Sequence, residues 1–271
     1  MSFIQASRDA ILKPLLTVAG IVEKRHTLPI LANVLLSKNA QQVSFLASDV
    51  EIQISTTAEL SQTADNAATT VSARKLLDIL RALPENIAVT IKVDDKRASI
   101  QAGKSRFSLQ TMPVEDFPTV NTSREWPASL RLPQKQLKGL LQMVHFAMAV
   151  QDVRYYLNGL LLVTNGDTLR VVTTDGHRLA TCEAVVEGAN LPHREVILPR
   201  KSVLELQRLL GDGEEMINID IADNQVRLAF SDVEFVSKLV EGKFPDYQRV
   251  IPTTHTRKFN VSREALAASL S

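Results

Sequence analysis

The sequence predicts an α+β fold built by internal repetition, on three observations. Long segments recur at a constant spacing. Each recurrence contains helix-forming stretches behind a cap or a cation, and short alternating runs with turn residues between them follow each helix. The recurrence is visible directly: "LPILANVLLSKNAQQVSFLASDVEIQIS" from Leu28 returns as "RYYLNGLLLVTNGDTLRVVTTDGHRLAT" from Arg154. Asn33 aligns with Asn158, Leu36 with Leu161, Asp49 with Asp175, Arg74 with Arg200, Lys75 with Lys201, Phe117 with Phe244 and Pro118 with Pro245.

Each copy is itself double. "SRDAILKPLL" places Ser7 at an N-cap and Ile11, Leu12 and Leu15 on one apolar helical face, with Pro14 expected to kink the helix. The runs "VSFLA" and "IQIS" follow as strands. "SARKLLDILRAL" repeats the helix, with Ser72 as cap and Leu76, Leu77 and Leu80 as the face. "VTIKV" and "ASIQA" follow it around the turn "DDKR". In the second copy, "TNGD" and "ADNQ" are hairpin signals. "SREALA" at Ser262 echoes "SRDAIL" at Ser7 and opens a third copy. The expected division is therefore 1–125, 126–252 and an incomplete 253–271.

Composition narrows the function. Hydrophobic residues make up 45% and charged residues 23% of 271 residues, with a net charge of +1, so no overall basic field draws in nucleic acid or membrane. The lone cysteine, Cys182, is expected to be a small buried strand residue. With an N-terminus lacking signal-peptide features, it points to the cytoplasm. No apolar run approaches the roughly 18 residues of a membrane span.

Cations open several helices: Arg8, Arg74-Lys75, Arg200-Lys201 and Arg263. They oppose the helix dipole. Asp9 and Glu264 offset the outer two, but no neighbour offsets the two pairs. Either they are solvated surface charge or they await a polyanion, whose phosphates would match cations and free N–H groups alike. Lys24 and Arg25 add to this set, as do Gln151, Arg154, Tyr155 and Tyr156, where the tyrosines are either core or base-stacking.

Catalytic motifs are lacking. There is no P-loop, HExxH, GxSxG or dinucleotide fingerprint, and the five histidines show no ligand spacing, so no metal or cofactor is expected. "TTDGHRLA" (173–180) is the one dense polar cluster. Its counterpart "LASDVEIQI" keeps the aspartate but replaces Gly-His-Arg. Asp175 is thus expected to be scaffold, in a turn or backbone contact, and Gly176-His177-Arg178 to belong to a groove peculiar to the second copy.

These residues resemble those of the bacterial DNA polymerase III beta subunits, the sliding clamps. The resemblance rests on "TLPILANVLL", "SARKLLDILRALP", "GKSRFSLQTMPVEDFP", "QDVRYYLNGLLL", "TTDGHRLA" and "KLVEGKFPDYQRVIP". It implies the DNA-clamp fold, with two helices packed on antiparallel sheets in each domain, and three domains per subunit in a head-to-tail ring. It also implies a DNA-encircling tether for the polymerase with no active site of its own. Carried over by residue, DNA contacts fall on Arg25, Arg74, Gln151, Tyr155 and Tyr156; the repeat adds Lys75, Arg200 and Lys201. A partner-peptide groove falls on Leu157, Thr174, Gly176, His177, Arg178, Leu179, Pro245, Arg249 and Val250. Polymerase, clamp loader and repair proteins would insert a short motif there, ending in leucine-phenylalanine. Lys104, Arg106, Phe107 and Leu109 form the first domain's share of the ring interface.

Since the third copy is incomplete, a monomer is expected. Two alternatives stand beside the clamp: a peptide-binding adaptor that does not encircle DNA, and a hydrolase using Asp175 and His177.

Overall fold

The computed structural model describes residues 2–23, 28–61, 65–94, 96–122 and 125–270. It divides into Met1–Glu241 and Gly242–Ser271. The first body thus takes in the expected domain 1–125 and residues 126–241 of the second, while 242–252 fall in the other unit.

The first copy runs β1 (Ser2–Ser7), α1 (Arg8–Ala19), β2 (Asn33–Asn39), β3 (Gln42–Ser48) and β4 (Ile52–Glu59). It continues with β5 (Ala67–Ser72), α2 (Ala73–Ala82), β6 (Ala88–Val93), β7 (Arg97–Ala102) and β8 (Ser105–Met112). The second repeats it: β9 (Ala128–Pro133), α3 (Gln134–Val144), β10 (Gly159–Gly166), β11 (Thr168–Thr174), β12 (Leu179–Val185), β13 (Leu191–Pro199), α4 (Arg200–Leu209), β14 (Met216–Ile221), β15 (Gln225–Phe230) and β16 (Val233–Lys238). A strand, a helix and three strands thus occur twice per copy.

Within each copy the two halves exchange their leading strands. β5 joins β2-β3-β4 and β1 joins β6-β7-β8; β13 joins β10-β11-β12 and β9 joins β14-β15-β16. β4 pairs antiparallel with β16, Ile54 opposite Phe235, which fuses the two copies into one sheet of twelve strands. The second sheet is β12-β11-β10-β13. The helices lie on these sheets, α1 over β3 and β4, α3 over β11 and β12.

Local signals explain the elements. The Ser7 hydroxyl accepts from Ala10 N and the Ser72 hydroxyl from Lys75 N, the expected caps. Both hairpin signals form two-residue turns: Asn165 pairs with Thr168, and Ala222 N donates to Gln225 O. Pro14 lies buried within α1, which runs on through it. One expectation shifts: Cys182 is half-buried, because it lies on β12, an edge strand of its sheet.

The core is continuous through both copies, with Phe45, Ile11 and Leu76 from the first and Phe235 and Leu206 from the second. Side chains of this size contribute about 1.5–3 kcal/mol each on full burial. Polar contacts reinforce the join between copies. Arg208 on α4 donates to the carbonyls of Leu16 (3.3 Å) and Thr17 (2.7 Å), supplying the cation that the last turn of α1 lacks. A Cβ at Gly20 would lie 2.1 Å from Glu205 Oε1, so a larger residue there would have to push the Glu205 and Arg208 side-chain ends aside. Among the described residues no helix is long and apolar enough to cross a membrane.

Gly242–Ser271 contains a short 3-10 turn at Tyr247–Val250 and an exposed helix, α5 (Arg263–Leu270). The Ser262 hydroxyl caps α5 by accepting from Ala265 N at 3.0 Å.

Candidate functional site

The two aligned aspartates build the same turn. Asp49 Oδ1 accepts from Glu51 N (3.0 Å) and Ile52 N (2.6 Å); Asp175 Oδ1 accepts from His177 N (2.9 Å) and Arg178 N (3.0 Å). A hydroxyl just before each aspartate completes it. Ser48 Oγ accepts from Val50 N, and Thr174 Oγ1 from Gly176 N. The residue after each aspartate is left-handed, at φ +77° for Val50 and +89° for Gly176. Asp175 is therefore scaffold, as its retention suggests.

The surroundings of the two turns differ. Lys201 Nζ donates to Asp49 Oδ2, to Glu23 Oε1 (2.6 Å) and to Ile21 O (3.4 Å). Lys238 N donates to Glu51 O at 2.8 Å. The second copy thus contacts the first copy's turn through Lys201 and Lys238, while Val50 and Glu51 stay exposed. At Asp175 the second oxygen accepts from Arg178 Nε at 3.0 Å, and Gly176, His177 and Arg178 are exposed. The amide N–H groups of His177 and Arg178, then the Arg178 side chain, hold the Asp175 carboxyl below its usual range.

A second layer braces this turn. Asn158 fixes the preceding loop, accepting from Asp152 N and donating to Asp152 O. Asp152 in turn takes Arg154 in a two-point ion pair, Nε to Oδ1 at 3.0 Å and Nη2 to Oδ2 at 2.8 Å. The Arg154 side chain, then its own backbone N–H, holds the Asp152 carboxyl at about 2. Arg154 Nη2 reaches Asp175 O at 3.4 Å, and a Cβ on Gly176 would sit 3.2 Å from Arg154 Nη1. On the other side, the Arg178 guanidinium lies 5.9 Å from the centre of the half-exposed Phe146 ring. Sequence reasoning missed the roles of Asp152, Arg154 and Phe146. The spacing of Asp152 and Arg154 in "QDVRYYLNG" was the available signal.

The expected groove residues Leu157, Thr174, Gly176, His177, Arg178 and Leu179 all lie in or beside this arrangement. Leu157 and Thr174 are buried and Leu179 half-buried. Pro245, Arg249 and Val250 belong to the separate unit, where Arg249 pairs with Asp246 at 2.7 Å and Val250 is exposed. Among the described residues the His177 ring makes no hydrogen bond to Asp175, whose oxygens are taken by amides and Arg178. The contact that would orient a general base is not formed.

Of the expected DNA contacts, Arg25 lies outside the described residues. Arg74 and Lys75 project from the start of α2, exposed, with no side-chain ion pair among the described residues. Gln151 is exposed at φ +54°. Tyr155 is exposed and Tyr156 half-buried, edge to face at 5.8 Å, so neither is core. Arg200 is half-buried and donates to Met148 O at 3.5 Å. Lys201 departs from its aligned partner Lys75: two carboxylates already match its charge. Desolvation lowers its pKa, but the bonds to Asp49 and Glu23 outweigh that and raise it. The ground for adding it to the DNA contacts is thereby removed.

The proposed ring-interface residues lie on or beside β8, which pairs with β7 along Ser105–Gln110 and with β5 only at Thr111 and Met112. Its other edge is open over 105–110 among the described residues. Lys104, Arg106 and Phe107 are exposed there, while Leu109 is buried in the core.

Comparison with known proteins agrees with this architecture. Residues 1–121 match the family model of the DNA polymerase III beta subunit N-terminal domain, and 131–246 that of its central domain. The beta sliding clamp of Pseudomonas putida is 46% identical over 266 residues, covering 97% of this chain and 72% of the relative. The chain belongs to the DNA polymerase III beta-subunit family, the beta sliding clamps. The Escherichia coli member is 44% identical over 247 residues, covering 90% of this chain and 66% of the relative. The crystal structure of the Pseudomonas aeruginosa beta subunit superposes with a TM-score of 0.88 at 44% identity, covering 94% of this chain and 69% of that one. A Bartonella birtlesii sliding clamp bound to griselimycin superposes at 0.90 with 35% identity, covering 98% and 72%.

Proposed function

We propose that this chain acts as a DNA sliding clamp: it tethers the replicative polymerase to duplex DNA and receives partner proteins in a peptide groove. As a beta clamp it is an accessory subunit with no chemical step of its own. The observation that carries the groove assignment is the contrast between the two turns. Geometry shared with Ser48–Ile52 is kept at Thr174–Arg178, but the buried Ile52 gives way to the exposed Arg178, which lies over the exposed Phe146 and precedes the half-buried Leu179. Apolar side chains beside fixed polar groups suit a short linear motif with a leucine-phenylalanine end. Pro245, Arg249 and Val250 are assigned to the same groove by resemblance.

DNA is assigned to Arg25, Arg74, Lys75, Arg200, Gln151, Tyr155 and Tyr156. A net charge of +1 fits a tether whose phosphate contacts stay weak enough for sliding. The open edge of β8 supplies one half of a head-to-tail contact between subunits, and the division 1–125, 126–252 and 253–271 marks the repeats. The compartment is the cytoplasm.

The test is fluorescence anisotropy with a labelled peptide ending in Leu-Phe. Binding should occur and should fall at least tenfold in Leu179→Asp. Equal binding by that variant overturns the groove assignment.

A further inference from the structure

The groove turn has no cation from another repeat, yet its carboxylate makes as many bonds as Asp49. In the first copy, Oδ1 holds the turn amides and Oδ2 goes to Lys201, more than 150 positions away in sequence. In the second copy, Oδ1 holds the same two amides and Oδ2 goes to Arg178, three residues on, where the first copy has Ile52. One substitution, from an apolar strand residue to arginine, replaces a contact between repeats with a contact inside the turn.

We propose that Asp175 is the positioning residue of the peptide groove, and that Arg178 does for it what Lys201 does for Asp49: it completes the carboxylate, from within the turn rather than from another repeat. This rests on the groove assignment made above. The turn needs such a device because it must hold its shape with its outer face empty. At Asp49 that completion comes from a neighbouring repeat, whose Lys201 occupies one side of the turn. Asp175 also fixes where its own carbonyl meets Arg154, and Arg178, held by Asp175, lies over Phe146. Two carboxylates therefore set the guanidiniums that flank Gly176, and Arg154 also meets the Asp175 carbonyl. Each is already ion-paired, Arg154 to Asp152 and Arg178 to Asp175. The groove consequently favours an apolar peptide end over an acidic one.

The experiment compares Asp175→Ala, Asp175→Asn and Leu179→Asp by anisotropy with the Leu-Phe peptide, alongside amide hydrogen exchange at His177 and Arg178 and thermal melting. Asparagine retains the Oδ1 acceptor for the two amides and loses the ion pair. Asp175→Ala should weaken the peptide about tenfold and speed exchange at both amides, with the global melt shifted by no more than a few degrees. Asp175→Asn should recover most of the affinity and the protection. Wild-type affinity in Asp175→Ala, with Leu179→Asp defective, overturns the positioning role while leaving the groove intact. Wild-type affinity in Leu179→Asp as well overturns the groove itself. Equal loss in the alanine and asparagine variants would place the effect in the charge and overturn the assignment to the amides. If Asp175→Ala fails to fold, the asparagine variant alone decides: protected amides with near-native affinity support the role, and exposed amides with native affinity overturn it.

Discussion

Lys201, in the first turn of one repeat's second helix, gives its ammonium to Asp49, in the turn of the other repeat that aligns with the peptide groove. The pair is only partly open to water, with Asp49 at 7% and Lys201 at 36% side-chain exposure. Removing one partner of an exposed pair costs about 0–1 kcal/mol, and of a buried pair about 3–5 kcal/mol. Lys201→Met should therefore lower unfolding stability by about 1–2 kcal/mol, measured by urea denaturation. The raised pKa fixes the sign of the pH dependence. The contribution is whole below the unfolded lysine value of about 10.4 and fades as pH rises through the higher folded value. An unchanged urea midpoint in Lys201→Met would mean that the latch adds nothing.

Val50 and Gly176 occupy the same left-handed position, and one of them is the wrong residue for it. A β-branched side chain at φ +77° is strained, and the left-handed region costs an L-residue roughly 1–2 kcal/mol. Val50→Gly releases that strain but frees the unfolded chain, which offsets about 0.4–1 kcal/mol. The expected net is a gain of up to about 1 kcal/mol. The reverse change, Gly176→Ala, should cost about 1–2 kcal/mol and press on Arg154. Thermal or urea melts of the two variants should move in opposite directions; movement in the same direction sinks the argument.

Asp152 offers a test in acid. With its folded pKa at about 2, the Arg154 ion pair contributes above the unfolded carboxylate value of about 3.9 and is lost as pH falls from there toward 2. The Arg154 Nε–H resonance should therefore shift between pH 4 and 2, and Asp152→Asn should show the acid-like signal at neutral pH. A titration centred near pH 4 would show that the two-point ion pair does not persist in solution.

How much of this was legible in the sequence depends on whether a contact is local or crosses the repeats. The caps at Ser7 and Ser72, the hairpins at Gly166 and Asp223, and the shared turn at Asp49 and Asp175 involve neighbours in sequence, and local pattern suffices for them. Alignment of the repeats placed Lys201 beside Lys75 as an equivalent cation, and there it misled. Glu23 and Asp49 meet Lys201 only because β4 and β16 join the copies, and no local pattern carries that pairing. Phe146 under Arg178 was hidden for the same reason: the 3-10 turn His145–Ala147 after α3 and the Asp175 turn converge only in three dimensions.

Among the described residues Arg74 and Lys75 open α2 without an ion pair, and two measurements on them should disagree in sign. Their side chains are exposed beside the first-turn N–H groups of α2, of which Ser72 accepts only that of Lys75. Positive charge there opposes the helix dipole by about 0.3–1 kcal/mol per charge. Arg74→Gln with Lys75→Gln should thus raise thermal stability slightly. If the pair faces phosphate, the same double variant should weaken duplex DNA binding and reduce the slope of log K against log salt by about 1 per residue. Lys201→Met, whose charge is matched internally, should leave that slope unchanged. A surface serving the fold alone would show the stability gain with no change in slope. A gain in stability coupled to a loss in slope identifies charges kept for a ligand at the expense of the helix that bears them.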